Sequence, residues 1–233
     1  MSVLARVAEV RAVGRLPLAI LDIDLTLVDN APRTRAILGD WLLTLRGRWP
    51  GAEDAIAFAQ TMPIIFSAAQ NVRALGVDDE ALLREGLAFW WERFFTARYA
   101  ALDTPCPGAV EAARRLMDAG ATLVYLTARP STLADATANR FRELGLPIAE
   151  VGTVLVMKDD PKEADGAFKA RALGWIGSLG EVVMCADNEP GHVNAMHAAF
   201  PDAVSVQVDT RHSPGAPPLA PGARVVSRLA EVL

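Results

Sequence analysis

Short apolar runs recur along the chain, separated by stretches with a helical period. Leu18–Ile23, Thr122–Leu126, Thr153–Met157, Val182–Cys185 and Val204–Val208 are rich in Val, Leu and Ile and lack alternation with polar residues. That pattern predicts strands of a sheet covered on both faces. Between them, Pro107 and Gly108 open AVEAARRLMDAG, where Val110, Ala113, Leu116 and Met117 keep a helical period and Gly120 can close the helix. Ser131 can cap TLADATANRFREL, which Gly145 and Pro147 end. Ala164–Ile176 and Pro190–Ala199 predict two further helices. Strands alternating with helices imply a parallel sheet with right-handed crossovers, an α/β Rossmann-like core.

One segment breaks the alternation. From Leu27 to Thr104 no run predicts a strand, and helices are expected over Arg33–Trp49, Asp54–Phe66 and Asp78–Tyr99. Asp78 or Asp79 can cap the last, and Leu83, Leu87, Trp90, Trp91, Phe94 and Phe95 mark a broad apolar face, read as core of a second, all-helical domain. The expected division is residues 1–26 and 105–233 for the α/β core and 27–104 for the helical insert.

Composition adds exclusions. With 52% hydrophobic and 22% charged residues in 233, disorder is excluded. A net charge of −5 and no Lys/Arg cluster argue against nucleic acid as a partner. No segment reaches the ~18 apolar residues of a membrane span, and Arg6, Arg11 and Arg15 interrupt the N-terminal apolar residues where a signal peptide needs continuity. A cytoplasmic protein is expected. Cys106 and Cys185 are read as reduced core thiols, and His192, His197 and His212 as structural or surface residues.

The chemistry gathers where strands end. In an open α/β sheet, ligands bind beyond the carboxyl ends of the strands. The first strand runs out through Asp22, Asp24 and Thr26, the second through Thr127 and Arg129, the fourth through Asp187, Asn188 and Glu189, and Lys169 lies in the helix before the fourth. On strand alternation Asp22 and Asp24 would face the same side. Three carboxylates against one ammonium lack a positive charge. Mg²⁺, which binds through one or two carboxylates, waters and phosphate oxygens, supplies it.

These residues resemble the haloacid dehalogenase (HAD) superfamily, mostly phosphatases. Its Asp-x-Asp-x-Thr motif is matched by Asp22, Asp24 and Thr26, its strand-end Ser/Thr by Thr127, its lysine by Lys169 and its acidic motif by Asp187. The helical insert resembles the family's cap domain. The resemblance implies a Mg²⁺-dependent phosphomonoester hydrolase acting on a small phosphorylated metabolite. Asp22 is then the nucleophile and Asp24 the acid and base. Mg²⁺ is held by Asp22, the Asp24 carbonyl and Asp187, and Thr127 and Lys169 are placed at the phosphoryl group; Arg129, outside the matched motifs, is a further candidate for contact with substrate or phosphate, with a surface arginine before Pro130 as the alternative. Lys158 and Lys162 compete for the lysine's role. Two positions depart from the family pattern: Leu25 stands where Gly is frequent, and Asn188 where a second acid is frequent, with Glu189 as a substitute acid. A phosphomutase, a 2-haloacid dehalogenase and a silent binding protein on the same fold are the alternatives; Asp24 argues against the dehalogenase, which has no proton donor there.

Overall fold

The computed structural model describes residues 2–233. The chain forms two compact units, Met1–Asp29 with Pro105–Leu233, and Asn30–Thr104.

The first unit is built on six strands: β1 (Pro17–Leu21), β2 (Thr122–Pro130), β3 (Thr153–Lys158), β4 (Glu181–Asp187), β5 (Val204–Val208) and β6 (Arg224–Val226). All neighbours pair in parallel, in the order β3-β2-β1-β4-β5-β6. This is the Rossmann-like core expected from the alternation of apolar runs and helices. Successive residues of β1 feed opposite faces. Ala19 and Leu21 join a cluster with Val7, Leu116 and Phe141, whereas Leu18 and Ile20 pack with Phe168, Ile176 and Met196. The first face is covered by helices Val3–Ala12, Ala109–Asp118 and Ala134–Leu144, the second by Asp165–Leu179 and Pro190–Ala199. Burial on both faces is why these strands read as unbroken apolar runs.

Several expectations are corrected. β1 stops at Leu21 rather than Ile23, so Asp22 and Asp24 lie in the loop beyond it, outside strand alternation. β2 and β4 continue through the polar residues at their ends, to Pro130 and Asp187. Ser131 opens a 3-10 turn, Ser131–Leu133, rather than capping the helix with its side chain, while Gly145 does end that helix with φ of 81°. Helix Val3–Ala12 and strand β6 were not anticipated: arginines dilute the first, and the second has only three residues after a Pro/Gly-rich loop. The two-residue strands Val28–Asp29 and Thr104–Pro105 are too short to show a period. Among the described residues no helix is long and apolar enough to cross a membrane.

The second unit holds helices Ala31–Thr44, Ala52–Ala59, Ala68–Ala74, Glu80–Phe94 and Ala97–Ala100 around a core that includes Ile37, Trp41, Leu42, Met62, Val72, Leu83 and Trp90. Asp79 caps the longest helix, its Oδ1 accepting from the amides of Ala81 and Leu82 at 2.8 Å each. The expected apolar face is narrower than the sequence suggests. Leu83, Trp90 and Phe94 are buried, but Trp91 is 63% exposed and meets Trp90 in a T-shaped contact, at 4.8 Å between centroids. The 3.6-residue period explains this: positions 83, 90 and 94 share a stripe, and 91 lies about 100° from 90. Helix Ala68–Ala74, with Ser67 Oγ accepting from the Gln70 amide, lies in a stretch too polar to show a period.

Candidate active site

β1 is the strand at which the order reverses: the chain winds outward from it to β2 and β3, then returns to place β4 on its other side. The ends of β1 and β4 therefore flank the crevice where doubly wound sheets bind ligands. The Asp22 amide donates to the Ala186 carbonyl at 2.9 Å and ties the two strand ends together.

Lys169 brings the side chains together. Its Nζ donates to Asp22 Oδ1 at 2.7 Å and to Asp187 Oδ2 at 2.6 Å. All three residues are buried, at 6%, 0% and 6% exposure for Asp22, Asp187 and Lys169. The remaining acceptors are engaged from the loops: Thr26 Oγ1 donates to Asp22 Oδ2 at 3.1 Å, and the Glu189 amide donates to Asp187 Oδ1 at 2.9 Å. The competing lysines are elsewhere. Lys158 is held by Asp165 Oδ1 at 2.7 Å and the Glu163 carbonyl at 3.1 Å, and Lys162 is exposed.

The two carboxylates are shifted in opposite directions. Burial, only partly offset by Lys169 and reinforced by Asp187, pushes the Asp22 carboxyl up to about 6. Burial also acts on Asp187, but Lys169 and the adjacent His192 outweigh it and hold its carboxyl down at about 2. The two anions in turn hold the Lys169 ammonium above its ordinary range, against the pull of burial. Two buried carboxylates share one ammonium, so the cluster is deficient by one positive charge.

Asp24 is placed differently from the sequence expectation. Its carboxylate does not join Asp22 on the lysine; it takes a two-point hydrogen bond from Arg129, Nε to Oδ2 at 2.6 Å and Nη2 to Oδ1 at 3.0 Å. Arg129 is 1% exposed, and its guanidinium is a partner of Asp24. Thr127, also 1% exposed, lies at the same end of β2, two residues beyond the Tyr125–Leu21 pair. Its Oγ1 accepts from the Arg129 amide at 3.2 Å.

Glu189 and Asn188 are both engaged by a neighbouring loop. Glu189 accepts from the Ser213 amide at 2.8 Å and Ser213 Oγ at 2.6 Å, and Asn188 Nδ2 donates to the Arg211 carbonyl at 2.7 Å. Both residues pin the 211–213 loop. His192, expected to be structural, stands at the site: its Nδ1 is 3.3 Å from Lys169 Nζ and 3.4 Å from Asp187 Oδ2. Its signal in the sequence is its place five residues after Asp187, in the first turn of the helix that β4 feeds. Leu25 adopts a φ of 64°, a left-handed conformation that L-residues other than Asn and Asp rarely take. That is the reason glycine suits this position.

Among the described residues no three His, Cys, Asp or Glu side chains are arranged as an all-protein metal cage. Mg²⁺ does not need one, since waters and substrate oxygens complete its shell. Paired oxygen donors with a net negative charge fit that ion.

No family model matches the chain, and no curated protein matches it in sequence. Solved structures do match in fold. A HAD-superfamily hydrolase of subfamily IA from Geobacter sulfurreducens aligns at TM-score 0.55 and 15% identity, covering 93% of this chain and 94% of that one. The core carries the fold of the HAD hydrolases. A haloacid dehalogenase-like hydrolase from Streptococcus pneumoniae aligns at TM-score 0.53 and 10% identity over 93% and 96% of the two chains. Protein tyrosine kinase A of Mycobacterium tuberculosis aligns at TM-score 0.56 and 18% identity over 91% and 94%. The HAD fold thus accommodates proteins with different stated activities, and the reaction must be argued from the side chains.

Proposed function

We propose that the protein is a Mg²⁺-dependent phosphomonoester hydrolase of the HAD type, working through an aspartyl-phosphate on a small phosphorylated metabolite. One observation carries the reading: the carboxylates of Asp22 and Asp187, on the two strand ends that flank the reversal of strand order, converge on Lys169. Inserted between Asp29 and Pro105, the helical unit Asn30–Thr104 takes the part of the family's cap.

In the first step an Asp22 carboxylate oxygen attacks phosphorus and the bond to the ester oxygen breaks. Asp24, which enters this step having taken up a proton from solvent, gives that proton to the departing alkoxide. In the second step water attacks the phosphorus of the aspartyl-phosphate and Asp24 takes its proton, which releases inorganic phosphate and regenerates Asp22. Lys169 and Thr127 hold phosphoryl oxygens, and Lys169 also keeps Asp187 ionised. Bound Mg²⁺, held by Asp22, the Asp24 carbonyl and Asp187, supplies charge neutralisation and orientation of the phosphoryl group. Thr26 fixes the Asp22 carboxylate from the side away from Lys169, through the oxygen that the lysine does not touch.

The test is turnover of a panel of phosphomonoesters with Mg²⁺, with mass analysis of protein quenched in acid. A phosphoryl adduct on the peptide containing Asp22, and activity lost in excess chelator and restored by Mg²⁺, are expected. Full activity in excess chelator, or no hydrolysis of any phosphomonoester, would overturn the reading.

A further inference from the structure

Arg129 is buried by design of the strand that carries it. β2 and β3 pair regularly to Thr127–Met157, and the next pair is Pro130–Lys158, so Ala128 and Arg129 bulge out of the ladder. A bulge bends its strand and re-aims a side chain. Here the bulge is secured by Thr127 Oγ1 on the Arg129 amide, and the guanidinium turns inward. Its Nη1 donates to Thr137 Oγ1 at 3.2 Å, on a helix position with 0% exposure, while Nε and Nη2 form the fork on Asp24. The Arg129 side chain is 1% exposed and the Asp24 side chain 24%, so the arginine lies beneath the carboxylate and the carboxylate faces outward.

From this arrangement we propose that Arg129 is a positioning residue for proton transfer: it fixes the Asp24 carboxylate in one orientation for both half-reactions and does not bind the phosphoryl group. The proposal rests on the phosphatase reading. A planar guanidinium meeting both oxygens of a carboxylate specifies orientation as well as position, which a lysine cannot do. Backing by Thr137 and by the bulge removes the arginine's own freedom. Orientation matters because a general acid acts only within hydrogen-bond reach of the oxygen it protonates.

The experiment is steady-state and burst kinetics of Arg129→Gln, Arg129→Lys and Thr137→Val on an alkyl phosphate and on p-nitrophenyl phosphate, each also in an Asp24→Asn background. Misplacing a catalytic group by an ångström costs about 10²-fold, so Arg129→Gln should lower kcat on the alkyl phosphate by about that factor. Its KM, and inhibition by inorganic phosphate, should stay within about threefold of wild type, because uniform substrate binding is untouched. The p-nitrophenolate burst should be largely retained, since that leaving group needs little protonation. In the Asp24→Asn background the same change should have almost no further effect. Arg129→Lys should resemble Arg129→Gln, and Thr137→Val, which leaves the fork in place, should show the same signature at smaller amplitude and covers the case of a poorly folding arginine variant. A raised KM with weakened phosphate inhibition would make Arg129 a phosphate ligand and overturn the proposal. So would full additivity with Asp24→Asn, or complete rescue by lysine. Failure of the phosphatase reading itself shows separately, as a wild-type protein that hydrolyses none of the substrates.

Discussion

Each unit buries charge, and the two do so with opposite balance. In the helical unit, Arg33 and Asp103 are both fully inaccessible and form a matched pair, with Nε on Oδ1 at 2.8 Å and Nη2 on Oδ2. Arg33 also donates to the Phe94 carbonyl at 3.2 Å and stacks its guanidinium over the Phe94 ring at 4.5 Å. The guanidinium fork meets the carboxylate donor for acceptor. At the sheet, Asp22 and Asp187 share a single lysine. Balanced burial fixes a structure, whereas unbalanced burial leaves a demand for a ligand of the missing sign. That difference separates scaffold from site without reference to any relative.

The strongest way to break the comparison is at Asp22, the proposed nucleophile. Asp22→Asn keeps the volume but replaces the carboxylate by an amide whose oxygen is a poor nucleophile, so on the proposed mechanism turnover should be lost entirely in a metal-replete phosphatase assay. Retention of more than a few per cent would end the covalent mechanism. In the helical unit the matching experiment is Asp103→Asn, which takes the negative charge of the fork away from the buried Arg33 and should cost about 3–5 kcal/mol. The double replacement Arg33→Met with Asp103→Leu should recover most of that loss, because a balanced pair is exchangeable for apolar packing. Denaturant unfolding of the three variants reads this, and equal losses in the single and double variants would show that the pair is not the structural unit described.

Charge imbalance also predicts an inversion between activity and stability. In the metal-free protein Asp22 titrates near 6, above its ordinary value of 3.8. A raised carboxyl contributes stability that is present below about pH 4 and is lost as pH climbs through 6. Asp187, held near 2, contributes in the opposite sense, present above about pH 4 and lost as pH falls toward 2. Asp22→Asn should therefore stabilise the protein at pH 7.5 in chelator by on the order of 1–2 kcal/mol, read as a higher melting temperature, with the gain gone by pH 4. Added Mg²⁺ should stabilise wild type and leave the variant nearly unchanged. A variant less stable than wild type at pH 7.5 in chelator would mean that Lys169 already neutralises the cluster.

Much of this site was legible because its chemistry sits where apolar runs stop. Asp22, Thr127 and Asp187 each follow an apolar run buried on both faces, and a parallel sheet brings the ends of such runs to one edge. Lys169 was separable from Lys158 and Lys162 only by the structure, since all three are single lysines near one helix and only the packing of that helix decides which reaches the crevice. The contact between Arg129 and Asp24 was not legible. It depends on the bulge after Thr127, which apolar patterning does not record. The inserted helices were visible as a class but not in their ends. Their turns are set by caps such as Ser67 and by packing onto Trp41 rather than by period.

The smallest expected effect is at Leu25, and it sharpens what the site demands of the backbone. Its φ of 64° carries a steric cost for a residue with a Cβ, roughly 1–2 kcal/mol. The conformation is held from both sides: its amide donates to the Val28 carbonyl at 2.7 Å and its carbonyl accepts from Thr210 Oγ1 at 2.6 Å. Leu25→Gly removes the steric cost but also gives up a side chain that is 7% exposed, a burial worth about 1.5–3 kcal/mol. Gly adds backbone entropy to the unfolded chain as well, a further loss of about 0.4–1 kcal/mol. The net should be a mild destabilisation, on the order of 1 kcal/mol, with kcat nearly unchanged because the loop keeps its shape. Leu25→Ala is the informative partner: it keeps the steric cost, loses most of the burial, and should be the less stable of the two by about 1 kcal/mol. Denaturant melts of both variants decide it. If Ala proves the more stable, the left-handed turn carries no cost here, and glycine's suitability after the second aspartate needs another cause.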